Sequence, residues 1–387
     1  MRSFSRHARW GVPAAAVAAV AAVTAGSLIS SAAAAPALPP RTPAQLLAAV
    51  AGATSPPPPF TGQVDETASL GLPQLPGADN QNSITSLLTG SHSMTVFYGG
   101  PKKLRLQVPV PMGESDFIRN GTTGWLWRSS SNSVTKFTIP AHKAAGGALP
   151  APAPTATPLT PQQAAQQVLA AVGKNTAVAA DSNTTVASQP VYRLVLTPKQ
   201  SGSLVGRVVI ALDGAHPQLP MQVQVFASNN SKTPAFQVGF NSFQFVTPAA
   251  TNFNFTPPKG ATVHTATPGS KTGTRPSSPL AAKPQVIGKD WLSVAVLPAS
   301  VLSGLSGGSA ASAAGQAAQS AAGSGSGPSS AAVMGALLKS ARQVTYPGGS
   351  GKLLQTSLLS VLITNNGHVL AGAVTPSVLE AAAGQVK

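Results

Sequence analysis

The chain has 387 residues, of which 43% are hydrophobic and only 9% are charged, so it can form one large domain or two smaller ones. It contains no cysteine, which excludes disulfides, thiolate metal sites and a lipid-anchoring cysteine. The formal net charge of +16 favours anionic partners such as a membrane surface or a cell-wall polymer. The basic residues form no long run, and this disfavours a nucleic-acid-binding arm.

The N-terminus has the three parts of a secretory signal. Arg2, Arg6 and Arg9 precede an uncharged Ala- and Val-rich run, and the small residues of "SAAAAPA" follow. This pattern predicts a signal peptide over residues 1–35. The alternative is an uncleaved membrane anchor, since the run approaches a spanning length of about 20 residues. In both cases the folded part lies outside the cytoplasm, in the cell envelope or secreted, and no nucleic-acid partner is expected.

Two Thr-Pro steps predict the starts of helices, at 42–53 and 160–173, because Thr caps a helix and Pro suits its first turn. From residue 60 the apolar period changes to two, which indicates strands joined by short turns. In "LRLQVPV" the apolar side chains from Leu104 to Val110 alternate with Arg105 and Gln107. Such strands in sequence predict an antiparallel meander. Phe243 falls out of phase with Phe240, which indicates a β-bulge.

Changes in composition along the chain predict its division into domains. Residues 36–263 form the predicted main domain, and 264–284 form a Pro/Ser/Thr/Lys linker. Residues 285–387 are predicted to form a small α+β module, interrupted by a flexible Gly/Ser/Ala insert at 303–330. The module includes one strand in "VIGKDWLSVAVLP", an Asn-Gly hairpin and a final helix in "TPSVLEAAAG".

No catalytic or metal-binding group is predicted. The six histidines are scattered, and two letter matches to nucleophile-elbow and phosphate-loop motifs lack the required context. Glu114 and Asp116 lie two residues apart, so they could face one side of a strand as an acid and a base. No other polar group gathers near them, which favours a solvated approach to the Asn120-Gly121 turn. We therefore expect no enzyme and no cofactor.

The strongly apolar strand faces allow two interpretations. One is a packed core against helices or a second sheet. The other is a curved sheet whose inner side holds a hydrophobic ligand. Composition and periodicity favour the packed core.

The order of motifs resembles the LolA-type lipoprotein carriers, the related regulator RseB (MucB) and actinobacterial LolA-like proteins. The resemblance covers about residues 42–263 and includes "DFIRNGTTGWLW", the Leu-Pro step at 219–220 and "FNFTPPKG". It implies a mainly β (α+β) fold, an antiparallel, unclosed half-barrel with a helical lid. It also implies a cavity for lipid or lipoprotein acyl chains.

On this resemblance the cavity is lined by the residues chosen from the strand periods. They are Leu104, Leu106, Val108, Trp125, Trp127, Leu194, Leu196, Val208, Ile210, Met221, Val223, Val225, Phe236, Val238 and Phe240. The implied function is reversible sequestration of lipid or acyl chains by an exported carrier, with an anionic membrane surface as a further partner. The alternative is an RseB-like envelope-stress regulator that senses lipid and contacts a membrane-bound protein.

Overall fold

The computed structural model describes residues 36–52, 55–71, 91–110, 112–139, 160–170, 172–266, 285–298 and 339–386. The predicted signal peptide, the insert at 303–330 and linker residues 267–284 lie outside the described residues. No helix in the described ranges has the length and apolar character needed to cross a membrane.

Three α-helices are described: α1 (Pro43–Ala51), α2 (Pro161–Ala170) and α3 (Pro376–Ala383). The strands of the main domain are β1 (Phe60–Ala68), β2 (Ser91–Tyr98), β3 (Lys103–Val110), β4 (Gly113–Asn120), β5 (Thr123–Arg128), β6 (Ser133–Thr138), β7 (Thr176–Val186), β8 (Gln189–Pro198), β9 (Val205–Asp213), β10 (Pro220–Ala227), β11 (Phe236–Gln244) and β12 (Thr262–Ala266). The C-terminal strands are β13 (Gln285–Ile287), β14 (Val294–Pro298), β15 (Arg342–Tyr346), β16 (Gly349–Gln355), β17 (Ser360–Thr364) and β18 (His368–Gly372).

The first twelve strands form one sheet in the order β12-β6-β5-β4-β3-β2-β1-β11-β10-β9-β8-β7. The sheet is not closed into a barrel and few helices accompany it, which confirms the predicted fold class. The simple meander needs two corrections. The chain forms two meanders joined by an antiparallel β1–β11 pair, and β12 pairs with β6 in parallel. Strand β12 also extends to Ala266, so the predicted linker begins three residues too early.

Both predicted Thr-Pro helix starts are present, each with a reciprocal cap. The Gln45 backbone N–H donates to Thr42 Oγ1, and Gln45 Oε1 accepts from the Thr42 N–H. Thr160 and Gln163 form the same pair of hydrogen bonds at the start of α2. Each cap satisfies two backbone donors that a short helix would otherwise leave unpaired.

The predicted bulge between Phe240 and Phe243 is confirmed. The β1–β11 register shifts between Gln63 and Val64, so that Val64 opposes Phe240 while Gly62 opposes Phe243. The extra residue in β11 turns both phenylalanines to the same face of the sheet. Their ring centroids lie 5.0 Å apart in an edge-to-face arrangement.

The C-terminal strands form a second sheet in the order β13-β14-β18-β17-β16-β15, with α3 packed on it. The predicted Asn-Gly hairpin is β17–β18, whose turn has Gly367 at φ 87°. The single predicted strand is instead two, β13 and β14, separated by a 3₁₀ turn at Asp290–Leu292. The edge strand β15, in which Val344 and Tyr346 are buried, and its partner β16 were not predicted.

The second sheet packs directly on the large one. Trp291 Nε1 donates to Thr176 Oγ1 at 2.8 Å, and Asn175 Nδ2 donates to Asp290 Oδ2 at 2.6 Å. Leu204 and Ala373 share a backbone hydrogen bond of 2.9 Å. Trp291 and Leu358 belong to the same buried cluster as the strands of the large sheet. The two sheets therefore share part of one core.

Candidate functional site: the inner face of the large sheet

Helices α1 and α2 define two sides of the large sheet. Helix α1 packs against β7 and β8, and α2 packs against β10 and β11. We call the side that they cover the inner face and the opposite side the outer face. Leu46 and Val50 of α1 and Ala164 and Ala165 of α2 are buried in the apolar cluster of the inner face.

Strand registers decide which residues belong to the inner face, because directly paired residues in neighbouring strands point to the same side. Leu194, Ile210, Val223 and Val238 form one such row across β8–β11. Leu106 pairs with Phe117, and Phe117 pairs with Leu126, which continues the face across β3–β5.

The structure brings most of the predicted cavity residues together on this face, where they are buried in one cluster. They are Leu104, Leu106, Val108, Leu194, Leu196, Val208, Ile210, Met221, Val223, Phe236, Val238 and Phe240. Val225 is half-buried and packs against the same cluster. The periodicity therefore grouped residues of β3 and of β8–β11 that share one side of the sheet.

The prediction is wrong for the face of Trp125 and Trp127. Trp125 pairs with Ile118 and Trp127 pairs with Asp116, so both rings lie on the outer face, while Leu126 lies on the inner one. The two-residue turn Gly121–Thr122, which makes Asn120 oppose Thr123, sets this register. Pairing the strands outward from this turn places Leu126 opposite Phe117, on the side of Leu106, and therefore places Trp125 and Trp127 on the other side.

The two tryptophans belong to a separate apolar layer on the outer face. The Phe255 ring centroid lies 5.5 Å from that of Trp125 and 6.1 Å from that of Trp127. Phe255 belongs to the segment between β11 and β12, which crosses the outer face. Lys136 Nζ lies 5.1 Å from the Trp125 ring centroid, and Val134 is fully buried beside Trp127 in the register.

Glu114 and Asp116 each have a partner on β3. Gln107 Nε2 donates to Glu114 Oε2, and Arg105 donates two hydrogen bonds to Asp116 Oδ2. Asp116 is fully buried, so the expected solvated turn is wrong for this residue. Burial raises the pKa of Asp116 to about 6, although the Arg105 guanidinium opposes the shift. These contacts are typical of a structural ion pair between Arg105 and Asp116, and they favour it over an acid–base pair of Glu114 and Asp116.

The inner face also carries polar residues that the sequence reasoning missed. Glu66 and His92 oppose each other across β1–β2 and are both buried. Arg119, 7% exposed, opposes Leu104 on β3 and Gly124 on β5. Glu66 in β1 and Arg119 in β4 each occupy a position that the period of two assigns to the apolar side of the strand. A charged residue at such a position was the signal in the sequence. No group of three or more metal-binding side chains occurs within the described ranges.

The chain matches no protein-family model and no curated protein sequence. Among solved structures it is similar to MucB in the MucA/MucB complex of Pseudomonas aeruginosa, at 12% identity over 88% of this chain and 96% of that chain, with a TM-score of 0.40. It is also similar to a LolA superfamily protein from Nitrosomonas europaea, at 8% identity over 56% of this chain and 99% of that one, with a TM-score of 0.23. A putative outer membrane lipoprotein-sorting protein domain from Vibrio parahaemolyticus matches at 12% identity over 51% and 89% of the two chains, with a TM-score of 0.16.

These matches fall in the LolA-like and RseB (MucB)-like groups that the sequence motifs resemble. Every TM-score lies below 0.5, so the matches carry no weight for function.

Proposed function

We propose that this protein is an exported, non-enzymatic carrier that binds the acyl chains of a lipid or lipoprotein on the inner face of its large sheet. The observation that carries the proposal is that only two short helices, α1 and α2, cover that face. Helices α1 and α2 have nine and ten residues, and each contributes only a few small or aliphatic side chains to the cluster. Isolated helices of this length are marginal in water, so tertiary packing holds them in place.

An acyl chain can replace such a cover without specific polar contacts. Burying a methylene group is favourable by about 0.8 kcal/mol, so a long chain offers the sheet as much apolar contact as a short helix does. In this mechanism α1 and α2 form a lid that moves aside as the chain enters. In the structure α1 and α2 pack against this face, and an entering chain would displace that packing.

The segment before α1 would tether this lid. Tyr192 Oη donates to the Pro39 carbonyl at 2.7 Å, and the Arg41 guanidinium carbon lies 5.7 Å from the Tyr192 ring centroid. These contacts hold residues 36–42 against β8 while leaving the helix itself attached mainly by apolar packing. The excess of basic over acidic residues would bring the protein to anionic membrane surfaces.

Native mass spectrometry of the chain from residue 36 onward, purified without detergent, tests the proposal. We expect masses of bound lipid or lipoprotein fragments, with acyl chains identified after extraction. Delipidated protein should take up a fluorescent fatty-acid probe, and binding should change hydrogen exchange in α1 and α2. Protein that carries no lipid and takes up no acyl probe would contradict the proposal.

The shared core of the two sheets favours a second candidate, a lipid-sensing envelope regulator. Trp291 and Leu358 contact the cluster that would hold the ligand, so lid movement can alter how the C-terminal module docks. A membrane-bound protein would then bind that module in only one ligand state. Pull-downs with lipid-loaded and lipid-free protein separate the two roles, because a simple carrier retains no such protein in either state.

A further inference from the structure

Arg119 places a buried cation on the mainly apolar part of the inner face formed by β3–β5. Its cross-strand partners are Leu104 and Gly124, and Leu104 in turn pairs with Tyr98. The side chain is 7% exposed. A guanidinium cannot lose its charge at ordinary pH, so its burial is costly unless an anion or several acceptors surround it.

The described residues supply little of that compensation. Arg119 Nε donates to the Gly121 carbonyl at 3.1 Å, and the residue keeps a small exposed fraction of 7% through which a ligand can reach it. Arg105–Asp116 and Arg193–Asp181 are ion pairs between described residues, and neither includes Arg119. Burial lowers the pKa of Arg119. Tyr98 is the titratable neighbour, and burial raises its pKa, so it remains a neutral phenol.

Aromatic rings surround this end of the inner face. Phe60 stacks on Tyr98 with ring centroids 5.1 Å apart, and Phe243 lies 5.0 Å from Phe60. Phe245 continues the series at 4.8 Å from Phe243 and is 36% exposed. Solvent therefore reaches the series at Phe245. From Leu104 the apolar row of β3 runs to Val108, about 13 Å along the strand.

We propose that Arg119, with Tyr98 beside it, binds the acidic headgroup of an amphiphile whose acyl chain lies along the inner face. The inference rests on the proposed function and adds a selectivity for anionic over neutral lipids. The headgroup chemistry is a carboxylate or a phosphate, because the planar guanidinium fork can donate two parallel hydrogen bonds to either one.

Calorimetric titration of the delipidated chain from residue 36 onward tests this proposal, with three ligands of equal chain length kept below their micelle concentrations. Palmitate carries a carboxylate, palmitoyl lysophosphatidate carries a phosphate, and monopalmitoylglycerol is neutral. We expect the wild-type protein to bind at least one anionic ligand about tenfold or more tightly than the neutral one. Which of the two it prefers distinguishes a fatty acid from a phospholipid.

Arg119→Gln should remove this preference, because it should weaken binding of the anionic ligands by a larger factor than binding of monopalmitoylglycerol. Arg119→Lys should retain part of it, because the charge remains while the two-pronged donor is lost. The matched control is Arg207→Gln on the outer face, where the guanidinium stacks on Phe226 and donates to the Ser231 carbonyl; it should leave all three affinities unchanged.

Two results would overturn the inference while leaving acyl binding intact: equal wild-type affinity for the three ligands, or an unchanged preference in a folded Arg119→Gln protein. If Arg119→Gln does not fold, Tyr98→Phe and Arg119→Lys decide, since a headgroup site requires both to reduce the anionic preference. Binding of none of the three ligands by the wild-type protein would instead contradict the proposed function.

Discussion

Asp116 lies directly opposite Trp127 in the β4–β5 pair, and each side chain buries a polar atom that has no hydrogen-bond partner among the described residues. These atoms are the acceptor Asp116 Oδ1 and the donor Trp127 Nε1. The other oxygen of Asp116 accepts from Arg105 on the next strand. The carboxylate and the ring therefore belong to the interior of the outer layer, which separates them from the inner face.

The buried carboxyl group should make stability depend on pH. Burial raises the pKa of Asp116 from 3.8 to about 6, so the folded protein binds this proton more tightly than the unfolded chain does. The contribution to stability is complete below the unfolded value and is lost as the pH rises through about 6. Between pH 4 and pH 7 we expect the free energy of unfolding to fall relative to that of Asp116→Asn, by at most about 3 kcal/mol.

Urea unfolding of both proteins at several pH values measures this difference, and groups common to both cancel. A stability difference that stays constant with pH would show that the ion pair with Arg105 offsets burial, and one that changes in favour of the wild-type protein as the pH rises would show that it outweighs burial; either result would contradict the prediction.

The outer-face tryptophans should contribute to stability and not to acyl binding. Trp125→Ala and Phe255→Ala should each reduce the free energy of unfolding. A double-mutant cycle should give a coupling of about 0.5–1.5 kcal/mol, because the two rings are in contact. Affinity for an acyl probe should stay within about twofold of wild type in Trp125→Ala. Leu106→Asn on the inner face serves as the comparison and should weaken binding of the acyl probe. A large loss of affinity on changing Trp125 would contradict the assignment of the faces.

Docking of the C-terminal module should make the two sheets unfold together. Trp291 is 8% exposed and donates to Thr176 across the junction. Trp291→Phe should lower stability by about 1–3 kcal/mol, because the Thr176 hydroxyl loses its buried partner. Trp291→Ala should cost about 3–5 kcal/mol. Circular dichroism and tryptophan fluorescence during urea unfolding should report one transition for the wild type. Two wild-type transitions would mean that the sheets are independent.

Local chemistry made several features predictable. Thr42 and Thr160 each precede a proline and cap a helix, and the alternation of Leu104, Leu106 and Val108 placed these three residues on one side of β3. The bulge near Phe243 was visible because two apolar residues fell out of phase. These signals depend on neighbours within a few residues, which the sequence contains directly.

Other features depend on distant partners. Strand β7 was missed because it is an edge strand with long polar, exposed stretches, so it lacks the alternation of a half-covered strand. The pairing of β1 with β11, and the contact between Thr176 and Trp291, join residues far apart in the chain. The face of Trp125 was predictable from the turn at Gly121, but the resemblance alone led to the opposite side.

Acyl binding on the inner face is tested most directly by a matched pair of isosteric substitutions in adjacent strands. Val223 of β10 is fully buried on the inner face, and Val209 of β9 is 3% exposed on the outer face. A Val→Thr change keeps the volume and places a hydroxyl group on one face only. We predict that Val223→Thr weakens binding of a palmitoyl probe about fivefold or more, because the hydroxyl lies against the chain. Val209→Thr, with a similar loss of stability, should leave the affinity within about twofold. Equal effects of the two substitutions, or none from either, would contradict an acyl-binding inner face.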